Sequence, residues 1–232
     1  MPRATLVLLP GLINTRRVFA HQIEALADIA DCIVPELWHH ETISEMADAT
    51  LALAPPTFAL GGFSMGGYVA FEIMRRAAER VQKLALIDTQ AAPDSAESTA
   101  RRRSLLEQTK IGRFHGVQRS LLPQLVHPSH VDNAAISQPI FDMAQEIGAE
   151  GFVNEQRAIM GRADSRHLLV DIDLPTVVIV GRQDQVTPLQ RSEEMAADIA
   201  TSRLVVLEEC GHMSPLEKPA EVAAALRRWL SE

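Results

Sequence analysis

The run Thr57-Phe58-Ala59-Leu60, followed at once by Gly62-Phe63-Ser64-Met65-Gly66, decides how the chain folds. Its first part is apolar and strand-like, and Gly67 to Ala78 beyond it reads as a helix. A serine between strand and helix, with glycine two residues to either side, is the signature of a nucleophile elbow. The demand is steric. The chain must reverse so sharply that the serine takes a strained backbone conformation, and side chains at the flanking positions would strike the neighbouring strand and helix. The hydroxyl is then presented over the end of a sheet, with the first amides of a helix behind it.

Working outward, the chain supplies Asp184 and then His212 after Ser64, in the order Ser…Asp…His. Each stands just after a β-branched apolar run, Thr176–Val180 before Asp184 and Leu204–Leu207 before His212. Reactive side chains at the carboxyl ends of successive strands are where an open α/β sheet keeps its site. The segment before the elbow alternates in the same way. Ala4–Leu9 and Cys32–Val34 read as strands, Arg17–Leu26 and Ile43–Leu53 as helices, with Thr42 or Ser44 as caps for the latter. Lys83–Ile87 reads as a further strand. Strands separated by helices imply parallel pairing with right-handed crossovers.

From Pro93 to about Arg166 the rhythm changes to helices alone: Ser98–Thr109, Phe114–Leu122, Ile136–Ile147 and Phe152–Arg162. Pro175 opens another strand, and alternation resumes through Leu189–Ile199, Leu204–Leu207 and Pro219–Leu230. We therefore expect an α/β core from residues 1–90 and 171–232, interrupted by a helical cap over 91–170. The alternative is that the extra helices pack on the side of the sheet.

Bulk properties narrow the classes. At 232 residues, 47% hydrophobic and 22% charged, the chain suits one soluble domain. A net charge of −8 argues against nucleic acid and offers little to an anionic membrane. No apolar run approaches the ~20 residues that cross a bilayer. No leader pattern precedes Ala4, so a cytoplasmic location is expected. Cys32 and Cys210 make no disulfide framework. Nothing fixes the oligomeric state, and a monomer suffices.

With these motifs in place the chain resembles the α/β-hydrolase superfamily, most closely its carboxylesterase and enol-lactonase-like serine hydrolases with a helical cap. The resemblance rests on Leu8–Leu12, Gly62–Gly67, Val180–Pro188 and Cys210–Pro219, and covers nearly the whole chain. It implies an α/β fold with a mostly parallel six-stranded sheet flanked by helices, lacking the usual first strand pair because Ala4–Leu9 matches the third family strand. It also implies hydrolysis of small carboxylic esters or lactones without a cofactor. Ser64 would be the nucleophile, His212 its base and Asp184 the acid that orients the base. Leu12 and Met65 would supply the oxyanion-binding amides. The family commonly has His-Gly where this chain has Pro10-Gly11, but the donor is a backbone N–H, so Leu12 is still expected to serve.

Competing readings stay open at this level. Asp88 ends the strand after the nucleophile's helix and is a second candidate acid; as the weaker one it is expected to cap a helix or anchor the cap. Glu208 and Glu209 are also close to His212 in sequence. His39-His40-Glu41 and His127/His130 lack metal-ligand spacing, so no metal is expected; His39 and His40 are expected near the pocket rim. Arg101-Arg102-Arg103 on a cap helix reads as a solvated face, with one of them pairing a substrate carboxylate as the sharper hypothesis. Phe114, Phe141, Met143, Phe152 and Met160 read as cap core, some of them facing the pocket. A carbon–carbon bond hydrolase, an eliminating synthase like that of menaquinone assembly, or a non-catalytic binding module of the same fold are the alternatives. A dehalogenase of this fold would need aspartate at Ser64.

Overall fold

The computed structural model describes residues 3–232, with the backbone alone for residues 115, 117 and 118. Six strands form one sheet: β1 (Ala4–Leu9), β2 (Ala30–Ile33), β3 (Phe58–Phe63), β4 (Val81–Ile87), β5 (Thr176–Gly181) and β6 (Ser202–Leu207). Their order is β2-β1-β3-β4-β5-β6 and every pairing is parallel. Parallel strands bury both faces, so their sequences read as continuous apolar runs. Alternate side chains then serve opposite cores. On β1, Leu6 and Leu8 join the layer that holds Phe19, Leu226 and Trp229. Val7 and Leu9 join the layer with Met46, Val69 and Ile73. Each fully buried aliphatic side chain contributes roughly 1.5–3 kcal/mol, so a one-residue slip of β1 would exchange all four.

The helices before the elbow are α1 (Ala20–Ala25), entered through a 3-10 turn over Arg16–Phe19, and α2 (Ile43–Leu53). The helix expected over Arg17–Leu26 is thus split, with the Thr15 side chain accepting from the Arg17 amide at its start. Thr42, not Ser44, caps α2: its hydroxyl accepts from the Glu45 amide while the Glu45 carboxylate accepts from the Thr42 amide. α3 (Met65–Ala77) starts directly after Ser64, two residues earlier than the sequence pattern implied.

Between β4 and β5 lie α4 (Ala96–Lys110), α5 (Phe114–Leu125) and α6 (Ala134–Met160). α6 bends at Gly148, whose φ of 73° breaks the helix between the two stretches expected as separate helices. No strand interrupts this segment among the described residues. The chain closes through α7 (Leu189–Asp198), α8 (Ser214–Glu217) and α9 (Pro219–Ser231). No helix among the described residues is long and apolar enough to cross a membrane.

Candidate active site

Ser64 stands at the β3–α3 junction with φ 51° and ψ −115°. A non-glycine residue there is strained by roughly 1–3 kcal/mol and is held only by over-determined surroundings. Three hydrogen bonds hold it: Ser64 N–H donates to Ile87 O (2.9 Å), while Thr89 Oγ1 (2.7 Å) and Gly67 N–H (2.9 Å) donate to Ser64 O. The two motif glycines are there for space. A Cβ on Gly66 would lie 2.1 Å from Leu9 O, and one on Gly62 2.5 Å from Gly66 O. The collisions are with neighbouring strand and helix backbone, which cannot yield.

From this position Ser64 Oγ lies 2.8 Å from His212 Nε2, and His212 Nδ1 lies 2.8 Å from Asp184 Oδ2. All three residues are buried. The Asp184 carboxylate is fixed from its own loop: Oδ1 accepts from Val186 N–H (2.7 Å) and Thr187 N–H (2.9 Å), and Oδ2 from Thr187 Oγ1 (2.7 Å). The His212 loop is fixed from two sides. His212 and Met213 N–H donate to Leu125 O at the end of α5. Glu217 Oε1 accepts from Gly211 and Met213 N–H at 3.0 and 3.1 Å.

Burial disfavours the His212 cation, but Asp184, by charge and hydrogen bond, together with Asp88 and Glu217, outweighs it and raises the pKa above its ordinary value. An acceptor of a serine proton with this setting suits Nδ1–H facing Asp184 and a lone pair on Nε2 facing Ser64.

Asp88 neither caps a helix nor anchors the inserted helices. It is fully buried, with Oδ1 accepting from Gly181 N–H (2.9 Å) and Oδ2 from Ser214 Oγ, and so ties the ends of β4 and β5 to the start of α8. Its pKa is raised, first by burial and then by Asp184. Glu208 turns outward to Arg182. His130 pairs with Glu217, and His39, exposed, with Glu36; neither His39 nor His40 lines the cavity at Ser64. Among the described residues no group of three or more His, Cys, Asp or Glu is placed to hold a metal ion.

Ser64 and His212 open into a cavity of about 60 Å³, bounded on the inserted-helix side by Leu121, Leu125, Ile140 and Ile159 and on the core side by Leu12, Phe63 and Tyr68. The aromatic and Met residues expected to face it do not line it. Phe114 packs on Phe152 with Ile13 and Ala144, and Met143 packs among Leu8-layer residues. Leu12 lines the cavity, and Met65 is the first residue of α3, whose opening amides have no intrahelical acceptor.

One side chain that sequence reasoning missed touches the Leu12 loop. Glu155, in the second half of α6, is fully buried and its Oε2 accepts from Ile13 N–H at 2.7 Å. Ile13 has φ 51°, a genuine outlier for a β-branched residue. Burial raises the Glu155 pKa to about 8 against the weaker opposing pull of the Ile13 amide. Thr187 and Glu217 were also missed as site supports, though both stand inside the Val180–Pro188 and Cys210–Pro219 motifs.

Residues 6–225 match the model of the alpha/beta hydrolase family. The chain is 32% identical over 195 residues to a pimeloyl-[acyl-carrier protein] methyl ester esterase of Neisseria meningitidis serogroup C, covering 80% of this chain and 74% of that one. A thermophilic esterase from Thermogutta terrifontis superposes with a TM-score of 0.90 at 32% identity, covering 98% of this chain and 89% of the other. The enol-lactonase from Burkholderia xenovorans superposes with a TM-score of 0.89 over all of this chain and 93% of its own, and at 22% identity that likeness speaks to the fold. On fold, motif and relatives together, the chain belongs to the alpha/beta hydrolase family.

Proposed function

We propose that the protein is a serine hydrolase of small carboxylic esters or lactones, working through an acyl-enzyme on Ser64. The observation that carries this is the unbroken chain Ser64 Oγ–His212 Nε2 and His212 Nδ1–Asp184 Oδ2, each contact 2.8 Å, opening onto an apolar cavity. Ser64 Oγ attacks the ester carbon as its proton passes to His212 Nε2, and Asp184 stabilises the imidazolium. The tetrahedral oxyanion is bound by the Leu12 and Met65 amides, each worth about 3 kcal/mol of barrier. Its collapse expels the alkoxide, which takes the proton from His212. Water then gives a proton to His212 and its oxygen to the acyl carbon, releasing the acid and restoring Ser64. Residues 91–170 act as the cap that closes this site from water. The esterase relatives support the ester-bond reading.

The test is turnover of p-nitrophenyl esters from acetate to octanoate, with Ser64→Ala as comparison. Short esters are expected to be cleaved, with the rate falling by about five powers of ten in Ser64→Ala. Turnover that survives the substitution would overturn the reading. Negligible turnover with Ser64 still labelled by a fluorophosphonate would transfer the triad to carbon–carbon cleavage or elimination.

A further inference from the structure

The cavity at Ser64 does not end at its apolar walls. A second chamber of about 190 Å³ adjoins it, sharing Leu12, Arg102, Leu121, Leu125 and Val186 as walls. Apart from Leu105 its other lining is polar, including Arg101, Gln124 and Gln156, and among the described residues no acidic side chain lines either chamber. Arg102 stands at the junction. Its Nε donates to Asp94 Oδ2 (2.7 Å) and its Nη1 to Gln156 Oε1 (2.9 Å), which leaves Nη2 without a partner among the described residues.

The charge around Arg102 does not balance. Asp94 is buried and shared, because Arg162 Nη1 lies 2.7 Å from its other oxygen. Arg162 is spent there: it donates to Ala92 O and Ile159 O and stacks over Tyr68 at 4.1 Å. Two guanidinium groups therefore share one carboxylate, and one positive charge remains beside the cavity. Glu155, the neighbouring acid on α6, is turned to Ile13 and does not supply the missing charge. Gln156 is fully buried, and its Nε2 has no hydrogen-bond partner. A buried unpaired donor costs about 1–3 kcal/mol, and Arg102, partly exposed, has only the shared Asp94 as counter-ion.

We propose that the junction of the two chambers is a carboxylate subsite, filled by a substrate whose ester lies at Ser64 and whose second, ionised carboxyl group is bound by Arg102 and Gln156. The match is of number as well as sign: one net positive charge and two unused donors, Arg102 Nη2 and Gln156 Nε2, meet one negative charge on two oxygens. The substrate class is then a half-ester of a short dicarboxylic acid, or a lactone carrying a carboxylate. The reaction half of this statement rests on the hydrolase reading above; the binding half does not.

Two measurements separate them. The first compares kcat/KM for the p-nitrophenyl half-ester of glutaric acid with that for p-nitrophenyl valerate, its neutral counterpart. The charged ester is expected to be preferred at least about tenfold, mainly through KM, and the preference to fall about tenfold or more in Arg102→Gln and Gln156→Glu. The glutamate neutralises the excess charge in nearly the same volume, so the proposal stays testable if Arg102→Gln folds poorly. An unchanged ratio across wild type and Gln156→Glu would overturn the subsite while leaving the hydrolase intact. The second is calorimetric binding of glutarate to Ser64→Ala protein, expected to weaken about tenfold when Gln156→Glu is added. Glutarate binding that depends on residue 156, together with wild-type protein that cleaves neither ester, would keep the subsite and remove the reaction. No binding of glutarate would overturn the subsite.

Discussion

The two walls of the cavity are built to different standards. On the strand-end wall the buried polar groups are paired: Asp184 accepts from the Val186 and Thr187 amides and the Thr187 hydroxyl, Asp88 from Gly181 and Ser214, Glu217 from Gly211, Met213, His127 and His130. On the wall from α6 they are not, since Glu155 Oε1 and Gln156 Nε2 are both buried without a partner. A satisfied network has one geometry and resists change. An unsatisfied one is held at a cost and marks where something else can bind or move. The Ser64–His212–Asp184 contacts are therefore held at the ends of β3, β5 and β6, while the unpaired groups lie on the insertion.

The largest expected effect breaks the symmetry between the two buried aspartates on the first wall. Asp184→Asn should lower kcat/KM by about 10⁴, because the wrong imidazole tautomer then faces Ser64. Asp88→Asn should stay within about tenfold, since an amide oxygen can still accept from Gly181. Comparable losses in both would mean that Asp88 shares the acid's role. The same pair reads out in pH. The base must be neutral, and the fold raises the His212 pKa, so kcat/KM should fall as pH drops through a value above the ordinary ~6.5 of histidine. In Asp184→Asn the acid limb should move to lower pH.

A smaller effect is expected across the gap between the walls. Glu155→Ala should reduce kcat by about 10-fold to 100-fold with little change in KM, because it releases Ile13 and with it the adjacent Leu12 amide. Glu155→Gln retains an acceptor for Ile13 N–H and should recover most of the rate. Equal damage from both, or a rise in KM alone, would confine Glu155 to packing.

The last effect is read in stability and not in rate. Glu155 titrates near 8 when folded against 4.5 for an ordinary glutamate, so the folded state keeps a proton that the unfolded chain gives up. Its contribution is therefore fully present below about pH 4.5 and is lost progressively up to about 8, by at most ~1.4 kcal/mol per pH unit. Melting curves of Glu155→Gln and wild type should diverge over that window, with the variant gaining as pH rises. Parallel curves would show that the folded state does not raise the Glu155 pKa.

The strand-end wall was largely legible in the sequence and the insertion wall was not. Ser64, Asp184 and His212 follow β-branched runs whose period and turn residues are local signals, and each strand end delivers its side chain to the same edge of the sheet. The elbow was readable because Gly62 and Gly66 answer to backbone contacts set by the motif itself. Helical spacing, by contrast, locates an apolar stripe without saying what it meets. Phe114 and Met143 carry the stronger hydrophobic signal, yet Leu121, Leu125, Ile140 and Ile159 face Ser64. Asp88 was misread because its partners, Gly181 and Ser214, are 93 and 126 residues away. Glu155 gave no signal at all, for its hydrogen-bond partner among the described residues is the Ile13 amide, 142 residues back along the chain.

The most direct measurement is the mass of the protein after acid quench during turnover of p-nitrophenyl acetate, with peptide mapping of any adduct. A single acetyl group on the peptide containing Ser64, formed in wild type and absent in Ser64→Ala, is the expected result. Turnover without an adduct on any residue, or an adduct on another nucleophile, would contradict an acyl-enzyme at the elbow.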